Sequence, residues 1–345
     1  MQCHLQFHPV FAINRAKYQR APCTACGQAT DQPVTVARVN ALTEGGRLTY
    51  DNSFKRSSVC SGTRDRKATD LSWQAIGIFD SGVGGLTVLG EIMKTLPQED
   101  TVYLGDTARV PYGTKSPETV IRFARQIASF LVKRDIKLLV VACNTASAVA
   151  LDELQAEFPI PIVGVIEPGA VRAAAVTKSG KVGVIGTAGT IRSSAYTKAI
   201  KRINPDIEVV TTACPMFVPL AEEGWIDNEV ARLTAGIYLQ GMKDHGVDTL
   251  VLGCTHYPLL KGIISEVMGE GVTLVDSAAE TAKTVRAILA QSGELRPLPE
   301  NGNHHFYVTD VPAGFIRVGN RFLGGALGDV YQVTLEDVPP KGEIP

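Results

Sequence analysis

From Ala75 onward, short β-branched and apolar runs alternate with stretches of helical periodicity, and at Lys181 the alternation begins again. No other feature constrains the fold as much, because strands that alternate with helices predict a parallel sheet covered on both faces. In the first set IGIFD (76–80), VYLGD (102–106), KLLVVAC (137–143) and PIVGVI (161–166) are of strand length. Between them Leu86 to Leu96, Pro117 to Arg134 and Ala146 to Phe158 read as helices. The second of these has apolar residues at 120, 124, 127 and 131, and Ser116-Pro117 supplies a cap and a proline at the first helical position. KVGVIG (181–186), EVVTT (208–212), DTLVLGC (248–254) and VTLVD (272–276) form the second set, with helices near 190–203, 228–244 and 259–268.

The two sets resemble one another. Ile76-Gly77-Ile78-Phe79-Asp80 matches Val182-Gly183-Val184-Ile185-Gly186, and Val141-Ala142-Cys143-Asn144-Thr145 is echoed by Leu252-Gly253-Cys254-Thr255-His256. The prediction is an α/β protein of two similar lobes, each a mostly parallel sheet flanked by helices, with the active site in the cleft between them. The tail holds a helix (AETAKTVRAILAQ) and apolar pieces around 306–309 and 330–335, and is expected to pack back on the first lobe. The lobes then comprise residues 73–170 with 279–337, and residues 171–278.

Composition excludes several classes of function. The 345 residues carry 34 basic against 35 acidic side chains, so no global field recruits nucleic acid or an anionic membrane. No run is long and apolar enough to span a bilayer or serve as a signal peptide, so a cytoplasmic protein is expected. Residues 1–72 differ from the rest, with ten Lys/Arg against five Asp/Glu and polar tracts such as SFKRSSVCSGTRDRKATD. They read as a basic, poorly ordered extension. A start codon assigned too far upstream would give the same picture. Cys23 and Cys26 form a CxxC that, with Cys3, His4, His8 or Cys60, could be half of a zinc site, but no second close pair accompanies it.

Ligands of open α/β sheets bind beyond the carboxyl ends of the strands. Those ends read Asp80-Ser81-Gly82, Gly105-Asp106-Thr107, Cys143-Asn144-Thr145, Gly186-Thr187-Ala188-Gly189-Thr190 and Cys254-Thr255-His256. Helix N-termini follow several of them, which suits a carboxylate. The nucleotide motifs fail: Gly82-Val83-Gly84-Gly85-Leu86-Thr87 has threonine where a dinucleotide fingerprint needs its third glycine, and Gly113-Thr114-Lys115-Ser116 lacks the glycines of a phosphate loop. Neither cofactor nor metal enters this reading of the catalytic region. A lone cysteine at a strand end is ordinarily a small buried hydrophobe, and Cys214 is read that way. Two at matching places suggest chemistry: one thiolate removes a proton from one face of a substrate and the opposite thiol returns one to the other face, giving inversion. His256 either caps a helix or serves the Cys254 thiol, and Asp80 has the same two readings beside Cys143. Asp106 either faces the cleft or braces its loop. Glu222 and Glu223 either reach the site or end a solvated helix. Ser81, Asn144, Thr145, Thr187 and Thr255 are candidates to hold developing negative charge.

Five segments, FDSGVGGLTVL (79–89), YLGDTARVPYGTKS (103–116), VVACNTASA (140–148), GVIEPG (164–169) and VLGCTHYPLL (251–260), resemble in order and spacing the signature segments of glutamate racemases. The resemblance covers roughly residues 75 to 335. It implies cofactor-independent interconversion of L- and D-glutamate, supplying D-glutamate for peptidoglycan, on a two-lobed fold. It also implies Cys143 and Cys254 as the acid/base pair. Asp80, Ser81, Tyr112, Gly113, Asn144, Thr145, Thr255 and His256 would bind substrate, and Thr187 would assist with its carboxylates. An acidic residue in PLAEEG is implicated as well, Glu222 in preference to Glu223. The N-terminal extension departs from the family pattern. Some members carry a shorter one linked to regulation by a peptidoglycan precursor, and homo-oligomers occur in the family. Alternatives are a racemase of another small dicarboxylate such as aspartate, a regulatory binding protein on this scaffold, and a redox enzyme, against which stands the lack of a CxxC in the catalytic region.

Overall fold

The computed structural model describes residues 41–44, 47–50, 71–297 and 299–337. The CxxC at Cys23 and Cys26 and most of the predicted extension lie outside them. Within that N-terminal unit β1 (Ala41–Glu44) and β2 (Arg47–Tyr50) pair antiparallel.

The remaining strands form two parallel sheets. The first has the order β12-β11-β4-β3-β5-β6, from β3 (Ile76–Asp80), β4 (Thr101–Gly105), β5 (Leu138–Val141), β6 (Ile162–Gly164), β11 (His304–Val308) and β12 (Val330–Gln332). The second has the order β10-β9-β7-β8, from β7 (Lys181–Gly186), β8 (Glu208–Ala213), β9 (Thr249–Gly253) and β10 (Thr273–Asp276). Shorn of β11 and β12, the two orders are identical: the first strand is central, the second lies on one side, and the third and fourth lie on the other. The repeat seen in the sequence is therefore a repeat of topology. β3, β4, β5 and β9 are buried along their whole length, as strands covered on both faces must be, and this is why they read as continuous apolar runs. β8, at an open edge, is partly exposed.

Helices cover these sheets: α1 (Leu86–Thr95), α2 (Pro117–Val132), α3 (Asn144–Glu157), α4 (Ile166–Val176), α5 (Ala188–Ser193), α6 (Ala195–Ile203), α7 (Phe217–Glu223), α8 (Glu229–Asp244), α9 (Lys261–Met268), α10 (Ser277–Ser292) and α11 (Pro312–Leu323). The cap predicted at Ser116 forms at α2, where its Oγ accepts from Thr119 N, and α8 is capped as well, Asn228 Oδ1 accepting from Ala231 N at 2.9 Å. Sequence patterning does not mark α4, α7 or α11. Each carries a proline in its first turn (Pro168, Pro219, Pro312), where the missing N–H has no intrahelical acceptor to lose. The helix expected over 190–203 is two, divided at Ser194 with φ +56°.

α10 packs on both α1 and α4, so the chain after β10 is led back to the first sheet. A buried ion pair fastens that return. Lys137 and Glu99, both fully buried, meet at 2.5 Å at the base of the first sheet. Lys137 Nζ also donates to the carbonyls of Ser72 and Glu294, and Glu99 accepts from Arg296 N. Segments far apart in sequence are thus tied to one charge pair, which would be costly to leave half-made.

Candidate active site

In each sheet the chain leaves the central strand to one side and later resumes on the other, so a crevice opens at the carboxyl ends of β3 and β7. Asp80 ends β3 and Thr187 follows β7. Cys143 lies two residues past β5 and Cys254 one past β9. The helix expected from Ala146 begins at Asn144, making Cys143 its N-cap residue and placing Asn144 and Thr145 in its first turn. Cys143 therefore sits at a helix N-terminus, where an anion is favoured.

The Ser81 and Asp80 side chains that flank Cys143 come from its own lobe. Its Sγ donates to Ser81 Oγ at 3.7 Å. Burial pushes the thiol up to about 12; the Asp80 carboxylate adds to this, the Ala146 N–H and Ser81 oppose it, and the charge of Cys254 also raises it. The fully buried Asp80 accepts from Gly82 N at 3.0 Å, leaving Oδ1 without a partner of hydrogen-bond geometry among the described residues. Its burial raises its pKa against the pull of His256 and the Gly82, Gly85 and Ser81 N–H groups.

Around Cys254 the charge is reversed. Its Sγ lies 3.8 Å from His256 Nδ1, and His256 Nε2 lies 2.9 Å from Glu222 Oε1. Burial acts to strip the proton from His256, but hydrogen bonds to Cys254 and Glu222, and the charges of both, raise its pKa to about 10. His256 is thereby held toward its protonated form beside Cys254. Glu223 is exposed, so of the two carboxylates it is Glu222 that reaches the cleft.

Contacts between the lobes close the crevice. Thr145 Oγ1 is 2.9 Å from Thr187 Oγ1 and 3.3 Å from Thr190 Oγ1, a cluster of hydroxyls able to turn toward an incoming carboxylate. Thr87 Oγ1 donates to the Thr255 carbonyl at 3.0 Å. Beside it Gly84 presses so closely on the Cys254 loop that an added Cβ would stand 2.2 Å from Thr255 Oγ1 and 2.5 Å from the His256 ring. Tyr112 is buried with its hydroxyl on Asp106, and Gly113 lies against Thr187. Asp106 also accepts from Arg109 Nε on both carboxylate oxygens and from the Thr309 hydroxyl, so among its two sequence readings it braces the loop that carries Tyr112. Cys214 stays in the apolar core and its carbonyl accepts from Tyr257.

A family model described as Asp/Glu/Hydantoin racemase matches residues 84–285. A glutamate racemase of Geobacter metallireducens is 76% identical over 266 residues, covering 77% of this chain and 98% of the relative. This chain belongs to the Asp/Glu/Hydantoin racemase family. The structure of glutamate racemase from Francisella tularensis in complex with D-glutamate superposes with TM-score 0.73 at 39% identity, covering 77% of this chain and all of that one. The Escherichia coli glutamate racemase, in complex with L-glutamate and the activator UDP-MurNAc-Ala, superposes with TM-score 0.64 at 30% identity over 76% of this chain and 99% of that one.

Sequence reasoning missed several residues that the structure brings to this candidate site. Tyr196 donates to Asn144 Oδ1 at 2.7 Å, which fixes the amide and leaves its Nδ2 buried without a partner among the described residues. Thr190 completes the hydroxyl cluster. Tyr103 donates to the Gly82 carbonyl at 2.8 Å and holds the loop after β3. Tyr196 and Thr190 act across lobes on Asn144 and Thr145 and so leave no mark in local spacing. The unpartnered acceptor on Asp80 and donor on Asn144 are what an amino acid supplies partners for: an ammonium and a carboxylate.

Proposed function

We propose that this chain interconverts L- and D-glutamate by moving the α-proton between Cys143 and Cys254. The observation that carries the reading is the placement of two thiols at equivalent strand ends of two like sheets, within electrostatic reach of each other. In the proposed pose the substrate ammonium meets Asp80 and its α-carboxylate meets Asn144 Nδ2, the threonine hydroxyls and the first turn of α3. These donors hold the charge that develops when the Cα–H bond breaks. One cysteine, as thiolate, takes that proton; the electron pair spreads onto the carboxylate, and the opposite thiol delivers its own proton to the other face. The thiol and thiolate have then exchanged places, so the reverse direction starts from the state that the forward direction leaves.

In line with this reading, the product would supply peptidoglycan synthesis. We place the reaction in the cytoplasm, as no helix among the described residues is long and apolar enough to cross a membrane. Likeness to the E. coli racemase supports activation by a nucleotide-sugar precursor of the cell wall, which titration with UDP-MurNAc-Ala tests. Incubation with L-glutamate in deuterated water tests the central claim: D-glutamate must appear carrying deuterium at Cα. Folded protein that neither inverts nor exchanges refutes it, and a parallel run with aspartate measures the substrate range.

A further inference from the structure

The last turn of α11 makes two contacts with the far lobe. Arg321 Nη1 donates to the Glu222 carbonyl at 2.8 Å and lies 3.4 Å from that of Ala221, which also accepts from Gly224 N at the end of α7. The chain there turns through Gly224, whose φ of +77° disfavours a side chain, and an added Cβ would stand 2.6 Å from the Arg321 guanidinium carbon. The next residue, Phe322, sets its ring edge-on to His256 at 5.1 Å between centroids. One turn of helix therefore grips both Glu222 and His256, the pair that stands behind Cys254. α11 itself is packed on α1 of the first lobe. Cys143 has no such dependence, since Ser81 and Asp80 reach it from its own lobe.

We propose that α11 is a latch, with Arg321 and Phe322 as positioning residues that set the Glu222–His256 pair behind the Cys254 thiol when the lobes are closed. This inference rests on the two-thiol reading above. It makes Cys254 competent only in the closed molecule, whereas the Ser81 and Asp80 side chains that flank Cys143 lie in its own lobe. Loosening the latch must then slow the proton transfers at Cys254 and spare those at Cys143.

The test uses the full chain with Arg321→Ala, Arg321→Lys and Phe322→Leu, and Cys143→Ser and Cys254→Ser as references. L- and D-glutamate have equal free energies, so kcat/KM must fall alike in both directions; a loss of about tenfold to a hundredfold is expected for Arg321→Ala. Isotope effects separate the two thiols. With α-deuterated substrates, the primary effect should rise for the enantiomer whose proton Cys254 removes, and fall for the other, whose intermediate Cys254 must protonate. Arg321→Ala and Phe322→Leu should thus shift the pair of effects in the sense of Cys254→Ser and opposite to Cys143→Ser, with Arg321→Lys restoring part of the wild-type pattern. Arg321 is exposed, so its melting curve should stay that of the wild type. Effects that move together for both enantiomers, a shift in the sense of Cys143→Ser, or unchanged kinetics would overturn the latch alone. If the two reference variants show no opposed shifts, the two-thiol reading falls and takes the latch with it.

Discussion

Cys143 and Cys254 occupy matching places in two sheets of the same order, yet their neighbours carry opposite charge. Cys143 lies beside the Asp80 carboxylate and the neutral Ser81 hydroxyl. Cys254 lies beside an imidazole that Glu222 helps keep protonated. The duplicated scaffold thus supplies position, one thiol for each face of a planar intermediate, and the loops supply unequal proton partners. Because the enantiomers are isoenergetic, this inequality cannot favour one direction in kcat/KM. It can appear only in kcat and KM taken separately, in isotope effects and in the reactivity of the resting thiols.

The largest effect should come from removing either side outright. Cys143→Ala and Cys254→Ala should each lower racemisation by about 10³-fold or more, since general acid–base groups commonly contribute 10²–10⁴. Polarimetry on folded variants checks this, and near-normal turnover in one of them would break the pairing of the two sites.

Neutralising the charged neighbour on each side should cost less, about 10²-fold, and should move pH behaviour differently. Asp80→Asn removes a charge that raises Cys143, so alkylation of that thiol should begin at lower pH than in the wild type. Glu222→Gln removes a partner that raises His256, so His256 should lose its proton below the native value of about 10, as followed by nitrogen NMR. The sign for stability follows. A histidine raised in the folded state contributes stability that is complete below its unfolded pKa, near 6.5, and lost as pH climbs through about 10. The melting temperature should therefore decline over that window, and more gently in Glu222→Gln. Titrations unchanged in both variants would remove the charge contrast between the sides.

Smaller still should be Gly84→Ala, whose methyl group must push Thr255 and His256 aside. We expect a loss of about tenfold, from displacement of the Cys254 loop by a fraction of an ångström. Isotope effects should shift in the sense of Cys254→Ser, and a symmetric response would blunt the comparison. Glu223→Ala, at an exposed carboxylate one residue from Glu222, should stay within about twofold of the wild type in kcat/KM, as surface changes generally do. A loss comparable to that of Glu222→Gln would reverse the assignment between these neighbours.

Much of the scaffold was legible because its strands are buried on both faces. IGIFD and TLVLG have no solvent face and so no polar alternation to confuse them with amphipathic elements. α2 was legible through its cap, its proline and one apolar face. The helices that escaped, α4, α7 and α11, carry prolines in their first turns, and a proline marks a loop as readily as a first turn. In the site, Cys143, Cys254, Asp80 and Thr187 could be found because each stands at or just past the end of an apolar run. Tyr196 and Arg321 could not, since their partners lie 52 and 99 residues away along the chain.

The sequence by itself determined that two α/β units repeat, that each ends a matching strand region in a cysteine, and that an acidic residue near 222 and a histidine at 256 were available. These are local properties, written in the periodicity of burial and in the residue types that follow each run. Only the tertiary structure decided that Glu222 and not Glu223 meets His256, that Asp106 serves Tyr112, and that α11 spans from one lobe to grip the other. Those outcomes depend on where helices seat against one another across the cleft. A difference of one residue turns a helical side chain by about 100°, a choice made by packing between elements distant in sequence.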